Sequence, residues 1–547
     1  MGVGVSRWTL AYFTAALISF AAAQAILAVG WADPVRAVAG PATLAVVHLL
    51  TIGWLSLLIL GALQQFVPVI TERSLASDTA AGWALGLIVT GLVGMVTGFL
   101  ALAGGPLATA LAGAAGGPGG SNGPLAAALP AGGTLVLAGF ATAAVNLAIG
   151  LWRARPLVLP ARFVAAGLVF LLLTGALGVT LALLLAFPEA AGRLPRSLMA
   201  QLLGRGLPLH MAAGIGGWFT LTAMGVAYKL LSMFTLAPEE RGPVGRWVLR
   251  LSATGLILAW FAGLAHLLVE GTAPPSGPVD PLAPAAPAAL GAGSRPAAVL
   301  AQVATVGWIA AGAGVFLYLW DMTRLYRQRR RQVLELNARY APLAFVALGA
   351  GVLLMVAGAL TGRLAGLAPT LAYLLLFGWL SGLGLTQLYK IVPFLTWLEK
   401  FGPRLGRGPA VRVQDLVHEP RAQPWFWLYF AAVAVATGAL LARAGDLWRL
   451  MTALTLLSTL AIALELWRAR RAEPKPQAAP VPPPWLKARM AAGTVAGTPA
   501  GPAAGSATGP APVQGPIPAP PAGGRGSVPA AGAPRPAGKA GEEERSR

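Results

Sequence analysis

Residues 48–71 read HLLTIGWLSLLILGALQQFVPVIT, and two altered copies of this stretch follow at residues 210–235 and 373–396. The copies align on a Gly-Trp pair, whose tryptophans Trp54, Trp218 and Trp379 lie 164 and 161 residues apart (218−54 and 379−218). A Ser or Thr stands two residues after each Trp, and a Thr closes each copy. A threefold repeat at so long a period predicts one architectural unit that is used three times.

The composition is typical of a membrane protein. Of the 547 residues, 56% are hydrophobic and only 11% are charged, whereas about a quarter of the residues of a soluble domain are charged. The mean hydropathy of +0.69 predicts a multi-pass protein of the cell membrane, with the lipid bilayer as its main partner. The net charge of +21 lies in loops between apolar runs and in the C-terminal tail. The positive-inside rule explains this distribution better than nucleic-acid binding does.

About twelve apolar runs approach the roughly 20 residues that a helix needs to cross a bilayer. They lie near residues 8–30, 41–70, 80–103, 131–152, 161–187, 207–236, 246–270, 298–322, 340–363, 367–397, 424–443 and 447–468. The three copies of the repeat fall on the second, sixth and tenth runs, so each repeat unit contains four helices. We therefore predict an all-α polytopic membrane protein with about 12 transmembrane helices in a 4+4+4 pseudo-threefold arrangement.

The chain divides into a membrane domain, residues 1–470, and a Pro/Ala/Gly-rich tail, residues 471–547, which is predicted to be disordered. The repeat units cover about residues 1–155, 156–335 and 336–470. Lys and Arg are concentrated in the loops after helices four, eight and ten, which an even number of spans places on one side with both termini. The positive-inside rule then predicts cytoplasmic N- and C-termini. Two long loops, residues 104–125 and 271–296, are rich in Gly, Pro and Ala and are expected to be flexible.

Histidine is the main candidate for chemistry within the spans. The chain has four histidines, and three of them, His48, His210 and His266, lie in helices two, six and seven. All three are expected in the outer half of the membrane, where an ionisable group is costly and tends to be functional. Neutral imidazole is a good ligand for haem iron, copper or zinc. A hydrogen bond to a neighbouring helix is the alternative role for each of them. Because the chain has no cysteine, thiolate metal sites and disulfides are excluded.

The histidines are not part of the repeat. His48 precedes Trp54 by six residues and His210 precedes Trp218 by eight, which places them about 160° apart at about 100° per residue. If the tryptophan faces are equivalent, the two histidines are expected to serve different pockets. Among the acidic groups, Glu270 shares a helix face with His266 and either orients it or is solvated at the membrane edge. Glu465, near the inner end of helix twelve, is placed where it can pair with an arginine of a loop.

Twelve helices in three sets of four resemble the catalytic subunit (subunit I) of haem–copper oxidases. The His…Gly…Gly…Pro order of the repeat helices also resembles NnrS-type membrane proteins, a related group associated with haem, copper and nitric oxide stress. In the oxidase family, helix two supplies a haem-ligating histidine, and helices six and seven supply histidines to the active-site copper. The resemblance therefore implies that His48 is the cofactor-binding ligand of a haem, and that His210 and His266 are metal ligands of copper.

The oxygen-reducing site implied by this resemblance is incomplete. Helix ten supplies two haem-ligating histidines in the oxidases, but here it carries Tyr373, Trp379 and Tyr389 and no histidine. Helix seven retains His266 alone, and helix six lacks the His-x-x-x-Tyr pattern of the family. We therefore expect a protein that binds haem and/or copper near the outer side without full terminal oxidase activity. A respiratory or nitric-oxide-related role, with respiratory-chain subunits as candidate partners, follows from the resemblance.

Two other classes of function remain open. Internal repeats are common in transporters, so the protein can instead be a transporter or channel for a small solute. Against this, the repeats run parallel, and the spans lack the acidic residues that ion-coupled carriers need. A non-catalytic scaffold subunit of a respiratory complex is the third alternative. The haem and metal content of the purified protein separates the first class from the other two.

Overall fold

The computed structural model describes residues 7–34, 37–104, 123–187, 194–239, 242–272, 295–404 and 411–473. Helices dominate these ranges, and no strand occurs in them. Most of the two long loops and nearly all of the C-terminal tail, for which flexibility and disorder are predicted above, lie outside the described residues. The chain between those gaps forms long helices that follow the predicted apolar runs.

The long helical segments are numbered here α1 to α12. Their bounds are α1 Arg7–Ala28, α2 Pro41–Thr71, α3 Asp78–Ala103, α4 Ala128–Arg153, α5 Leu159–Ala186, α6 residues 196–235, α7 Pro243–Thr272, α8 Arg295–Arg327, α9 Leu336–Leu360, α10 Leu364–Lys400, α11 Glu419–Leu441 and α12 Gly445–Arg471. Short helical turns cover Gly123–Ala126, Gly402–Arg404 and Val413–Leu416. Within the described ranges, the eleven helices other than α6 are long and apolar enough to cross a membrane. They confirm the prediction of an all-helical, multi-pass membrane protein.

The Gly-Trp motifs lie in π-helical stretches of α2, α6 and α10. These stretches are Leu49–Ser56, Ala212–Leu221 and Leu374–Ser381. Such wide turns inside α-helices are rare and are frequent at functional sites. The closing Thr of each copy also has one structural role in all three helices, because its hydroxyl donates to the carbonyl four residues earlier, at 2.7–2.8 Å.

Tryptophan hydrogen bonds connect the three repeat units. Trp54 Nε1 donates to Ser381 Oγ at 2.8 Å, and Trp218 Nε1 donates to Ser56 Oγ at 3.1 Å. Both serine hydroxyls donate in turn to the carbonyl five residues earlier in their own π-helical stretch. The third tryptophan, Trp379, is fully buried, and its Nε1 has no hydrogen-bond partner among the described residues. The first unit is thus joined to both of the others by bonds at equivalent positions.

The glycine before each tryptophan lets its helix approach the helix that opens the same repeat unit. A Cβ built on Gly53 would lie 2.6 Å from the Ser19 side chain of α1, and one on Gly217 would lie 2.2 Å from Phe170 of α5. A Cβ on Gly378 would lie 2.8 Å from the Ala347 side chain of α9. Small residues allow this close packing of helices in membranes. The repeated motif is therefore a packing element in all three units.

Carboxylates tie the loops together at the arginine end of the bundle, defined here as the end that carries Glu335 and Arg421. Glu335 accepts hydrogen bonds from Arg331, Lys390 and Gln414. Burial raises the pKa of the Glu335 carboxyl, but the bonds and charges of these partners lower it more, so the net pKa is below its ordinary value. Glu465 pairs with an arginine as predicted, since it is buried and accepts two bonds from Arg421, at 2.7 and 2.8 Å, but this arginine lies in the first turn of α11 and not in a loop.

Candidate metal-binding site

A cavity of about 410 Å³ lies at the opposite end, which we call the histidine end because it contains His48 and His210. Side chains of α2 to α6 form one part of its wall, and side chains of α1, α10 and α12 form another. The lining is almost wholly apolar and aromatic. Among the described residues it includes no Asp, Glu, Lys or Arg. The polar side chains of the lining are the two imidazoles, the hydroxyls of Thr43, Thr51, Ser56, Thr174 and Tyr373, and the indoles of Trp218 and Trp448.

The rings of His48 and His210 lie close to each other and both line this cavity. Their centroids lie 6.3 Å apart, with an angle of 31° between the ring planes. His48 Nδ1 lies 2.7 Å from the Leu44 carbonyl oxygen, and His210 Nδ1 lies 3.0 Å from the Thr174 carbonyl oxygen. A carbonyl oxygen only accepts, so each Nδ1 carries the proton and donates it. Each Nε2 then keeps its lone pair, and the hydrogen bonds found for the two rings in the described part of the chain are those at Nδ1.

The expectation that these two histidines serve different pockets is wrong. Both line the same cavity. Two neighbouring helices turn opposite faces towards the space between them. Side chains that point in different directions on α2 and α6 can therefore meet in that space. The π-helical stretches also break the assumption of about 100° per residue between histidine and tryptophan.

His266 is placed apart from this pair. Its Nδ1 lies 3.0 Å from the carbonyl oxygen of Ala297, at the start of α8, and it is not among the residues that line the cavity. Its helix does contact α6 nearby, because Trp260 Nε1 donates to the Leu209 carbonyl at 3.1 Å. In the described ranges, no three or more His, Cys, Asp or Glu side chains come together in a group that could hold a metal. The structure thus brings together two of the three predicted histidines.

Helix α5 positions His210 with two residues that lie one turn apart. Thr174 supplies the carbonyl that holds Nδ1, and Gly178 supplies the space for the ring. A Cβ built on Gly178 would lie only 2.8 Å from His210 Cε1. Neither residue stood out in the sequence, because glycines and threonines are frequent in all of these spans. Their roles depend on a contact between α5 and α6 that no local pattern predicts.

The statement that the spans lack acidic residues needs correction. Asp321 lies inside α8 and is 3% exposed, and its carboxylate accepts a bond from the Tyr228 hydroxyl at 3.1 Å. Arg324, one turn further on, lies 3.7 Å from the same carboxylate. In the sequence this aspartate stands at the edge of the apolar run and reads as part of the basic loop. The helix continues to Arg327, which carries Asp321 into the packed interior.

The spacing of the two imidazoles fits a metal centre. A metal bound to two imidazole nitrogens at about 2.0–2.1 Å each would hold the two ring centroids about 5 Å apart at a tetrahedral angle and about 6.5 Å apart in a linear arrangement. The 6.3 Å separation falls near the linear limit of this range. Ligating histidines commonly donate their second ring nitrogen to a backbone carbonyl, which fixes the tautomer and the ring orientation. The bonds to Leu44 and Thr174 have this form.

The comparisons with known proteins do not assign the chain to a family. No model of a known protein family matches it, and a search of curated proteins returns no match. The resemblance to oxidase subunit I accordingly rests on the repeat, the number of apolar runs and the three histidines.

Proposed function

We propose that this protein is a metal-binding membrane protein, with oxidase-like architecture, that holds haem or copper through His48 and His210. The observation that carries the proposal is the pair of Nε2 atoms left free by the bonds at Nδ1, with both rings in one cavity. Intramembrane ionisable groups are costly and are usually functional. The oxygen-reducing site is incomplete, because α10 has no histidine and α7 has only His266.

The proposed architecture has twelve transmembrane helices in three sets of four. Helix α6 completes the set of twelve spans beside the eleven strongly apolar helices, since it is continuous over residues 196–235 and carries the second copy of the repeat. Its hydropathy is lower than that of the other eleven because of its glycines and of Arg205, His210 and Lys229. The Trp54 and Trp218 bonds support a pseudo-threefold axis among α2, α6 and α10. In this proposal the arginine end and both termini lie in the cytoplasm, in keeping with the basic loops, and the histidine end lies at the outer side.

The side chains of the site have separate roles in this proposal. The Leu44 and Thr174 carbonyls keep the proton on Nδ1 of each histidine, so that Nε2 is ready to bind a metal. The apolar and aromatic lining excludes water and lowers the local dielectric, which tunes the properties of a bound metal. A bound haem or copper supplies one-electron chemistry. This chemistry is the basis for a respiratory or nitric-oxide-related role.

We expect His48→Ala and His210→Ala each to reduce the metal or haem content of the protein purified from its native membrane to below about a tenth of the wild-type content. Loss of a group that only hydrogen-bonds to a metal ligand lowers metal affinity roughly 10–100-fold, and loss of the ligand itself should lower it more. Elemental analysis and the absorption spectrum measure this content. His266→Ala is the matched control and is expected to keep the wild-type content, because it lies outside the cavity. A wild-type preparation that is colourless and free of metal would contradict the proposal.

Transport of a small solute is the second candidate function. A second cavity of about 80 Å³ lies between α2, α6 and α10, closer to the arginine end than the Gly-Trp motifs. Together with the buried Asp321, it favours a transport role more than the sequence alone does. Uptake of a solute by liposomes that contain metal-free protein would support transport. Co-purification with cytochromes and without bound metal would instead support a scaffold subunit.

A further inference from the structure

We propose that the loop between α4 and α5 binds the headgroup of an anionic phospholipid, whose acyl chains lie along the exposed side of these two helices. Arg153, Arg155 and Arg162 are the proposed partners of the phosphate. The loop lies at the arginine end, since a Cβ built on Gly225, in the second half of α6, would lie 2.9 Å from the Pro160 carbonyl oxygen at the start of α5. The site is therefore separate from the cavity at the histidine end and goes beyond the proposed metal binding.

The positive charge of this loop has no counterpart nearby in the sequence. Residues 79–188 contain no Asp, Glu or Lys, and their only arginines are the three of this loop. Within the described ranges, none of these arginines forms an ion pair. Elsewhere at the same end the protein supplies its own carboxylates, because Glu335 pairs with Arg331 and Glu465 pairs with Arg421. The α4–α5 loop is thus left with a charge that the phosphate of an anionic lipid complements.

Two of the arginines are held in positions that suit a phosphate. Arg155 Cζ lies over the Trp152 ring, 3.7 Å from its centroid. A guanidinium that stacks on an aromatic face keeps its N–H groups at its edge, where they can donate to a phosphate in pairs. Arg162 Nε donates to the Leu157 carbonyl at 2.8 Å, which fixes the side chain and leaves its two Nη groups for a ligand. Because only residues 154–158 separate the two helices, both guanidinium groups belong to one short turn.

Exposed apolar side chains lead along both helices to these arginines. Val145 and Trp152 of α4 lie seven residues apart, on one helix face, and are 58% and 67% exposed. Arg162 and Val169 of α5 have the same spacing and are both exposed, and the two helices pack against each other. Tryptophan is frequent where a span meets the lipid headgroups. This continuous apolar surface accommodates acyl chains, so the proposed ligand is a phospholipid and not free phosphate.

The test is native mass spectrometry of the full-length protein, delipidated in detergent and titrated with phosphatidylglycerol or with phosphatidylcholine of the same acyl chains. We expect phosphatidylglycerol to bind at least about 10-fold more tightly, because only this lipid carries a net negative charge. The double variant Arg155→Gln/Arg162→Gln should abolish this preference, since it removes two charge-assisted contacts. Arg327→Gln/Arg330→Gln is the matched control and should keep the preference. It makes the same change in net charge with two exposed arginines at the end of α8 and in the next loop.

Two further measurements locate the site and identify its ligand. Phosphatidylglycerol with a photoreactive diazirine in one acyl chain should label peptides of α4 and α5. Arg155→Lys keeps the charge but loses the paired donors and the stacked plane, so it should also weaken binding. A preference that survives in Arg155→Gln/Arg162→Gln, or that is lost equally in the control, would overturn the site. Displacement of the lipid by millimolar inorganic phosphate would overturn the phospholipid as its ligand. Circular dichroism and elution volume confirm that each variant is folded.

Discussion

Replacement of Trp54 by alanine is expected to lower the free energy of unfolding by about 3–5 kcal/mol, the usual cost of truncating a buried tryptophan. Trp54 is fully buried and stacks on Phe20 of α1, with ring centroids 4.5 Å apart. Its Nε1 also donates to Ser381 of the third repeat unit. The substitution therefore opens a void and leaves the Ser381 hydroxyl without its donor. Chemical denaturation in detergent, followed by tryptophan fluorescence and circular dichroism, measures the change.

Trp83→Ala is the matched control for this prediction. Trp83 is a tryptophan in a spanning helix as well, but it is 68% exposed on the surface of the bundle. Substitutions at such positions usually change stability by less than about 0.5 kcal/mol. Trp54→Phe adds a graded step, since it removes mainly the hydrogen bond, worth about 0.5–1.5 kcal/mol. Equal destabilisation by Trp54→Ala and Trp83→Ala would contradict the role of the repeat as the packing centre.

Gly91→Ala in α3 is expected to destabilise the protein by about 3 kcal/mol, at the upper end of the usual cost of overpacking. A Cβ on Gly91 would lie 2.6 Å from the Gly132 carbonyl oxygen and 2.7 Å from the Val136 nitrogen. Both are backbone atoms of α4, so no side chain can move away, and the two helices must separate. Thermal unfolding in detergent measures the loss.

The control for Gly91 lies in the same helix. A Cβ on Gly86 would meet no atom within 4 Å. Gly86→Ala is therefore expected to be neutral, or to stabilise α3 by up to about 1 kcal/mol through helix propensity. Separation of α3 from α4 should also weaken metal binding at the site proposed here, because Phe99 of α3 packs on the ring of His48. If Gly91→Ala proves as stable as Gly86→Ala, the close approach of α3 and α4 is contradicted.

The helices follow from the sequence because their signal is local. Apolar runs of bilayer length and the Gly-Trp repeat locate all of the long helices, and the described bounds match the predicted runs within a few residues at most ends. The largest differences are at α6, which begins at Arg196, at α8, which ends at Arg327, and at α11, which begins at Glu419. At these three ends, polar and charged residues continue a helix beyond its apolar part. Hydropathy alone cannot detect that continuation.

The sequence predicts only part of the site. The histidines attract attention because intramembrane imidazoles are rare and costly. Which of them meet depends on contacts between α2, α5 and α6, and these contacts are set by side-chain packing over long sequence separations. The Thr174 carbonyl and the space at Gly178 are properties of the backbone and carry no residue-type signature. For the same reason, the sequence alone gave no way to separate His266 from His48 and His210.

The most direct test of the central claim is an experimental density map of the protein purified from its native membrane without added metal. Anomalous scattering or spectroscopy of the same preparation should identify the element. We expect density for a metal, as haem iron or copper, between the rings of His48 and His210 and within bonding distance of both Nε2 atoms. A well-ordered map in which both Nδ1 bonds to Leu44 and Thr174 are present, while water or a side chain occupies the space between the Nε2 atoms, would contradict the claim.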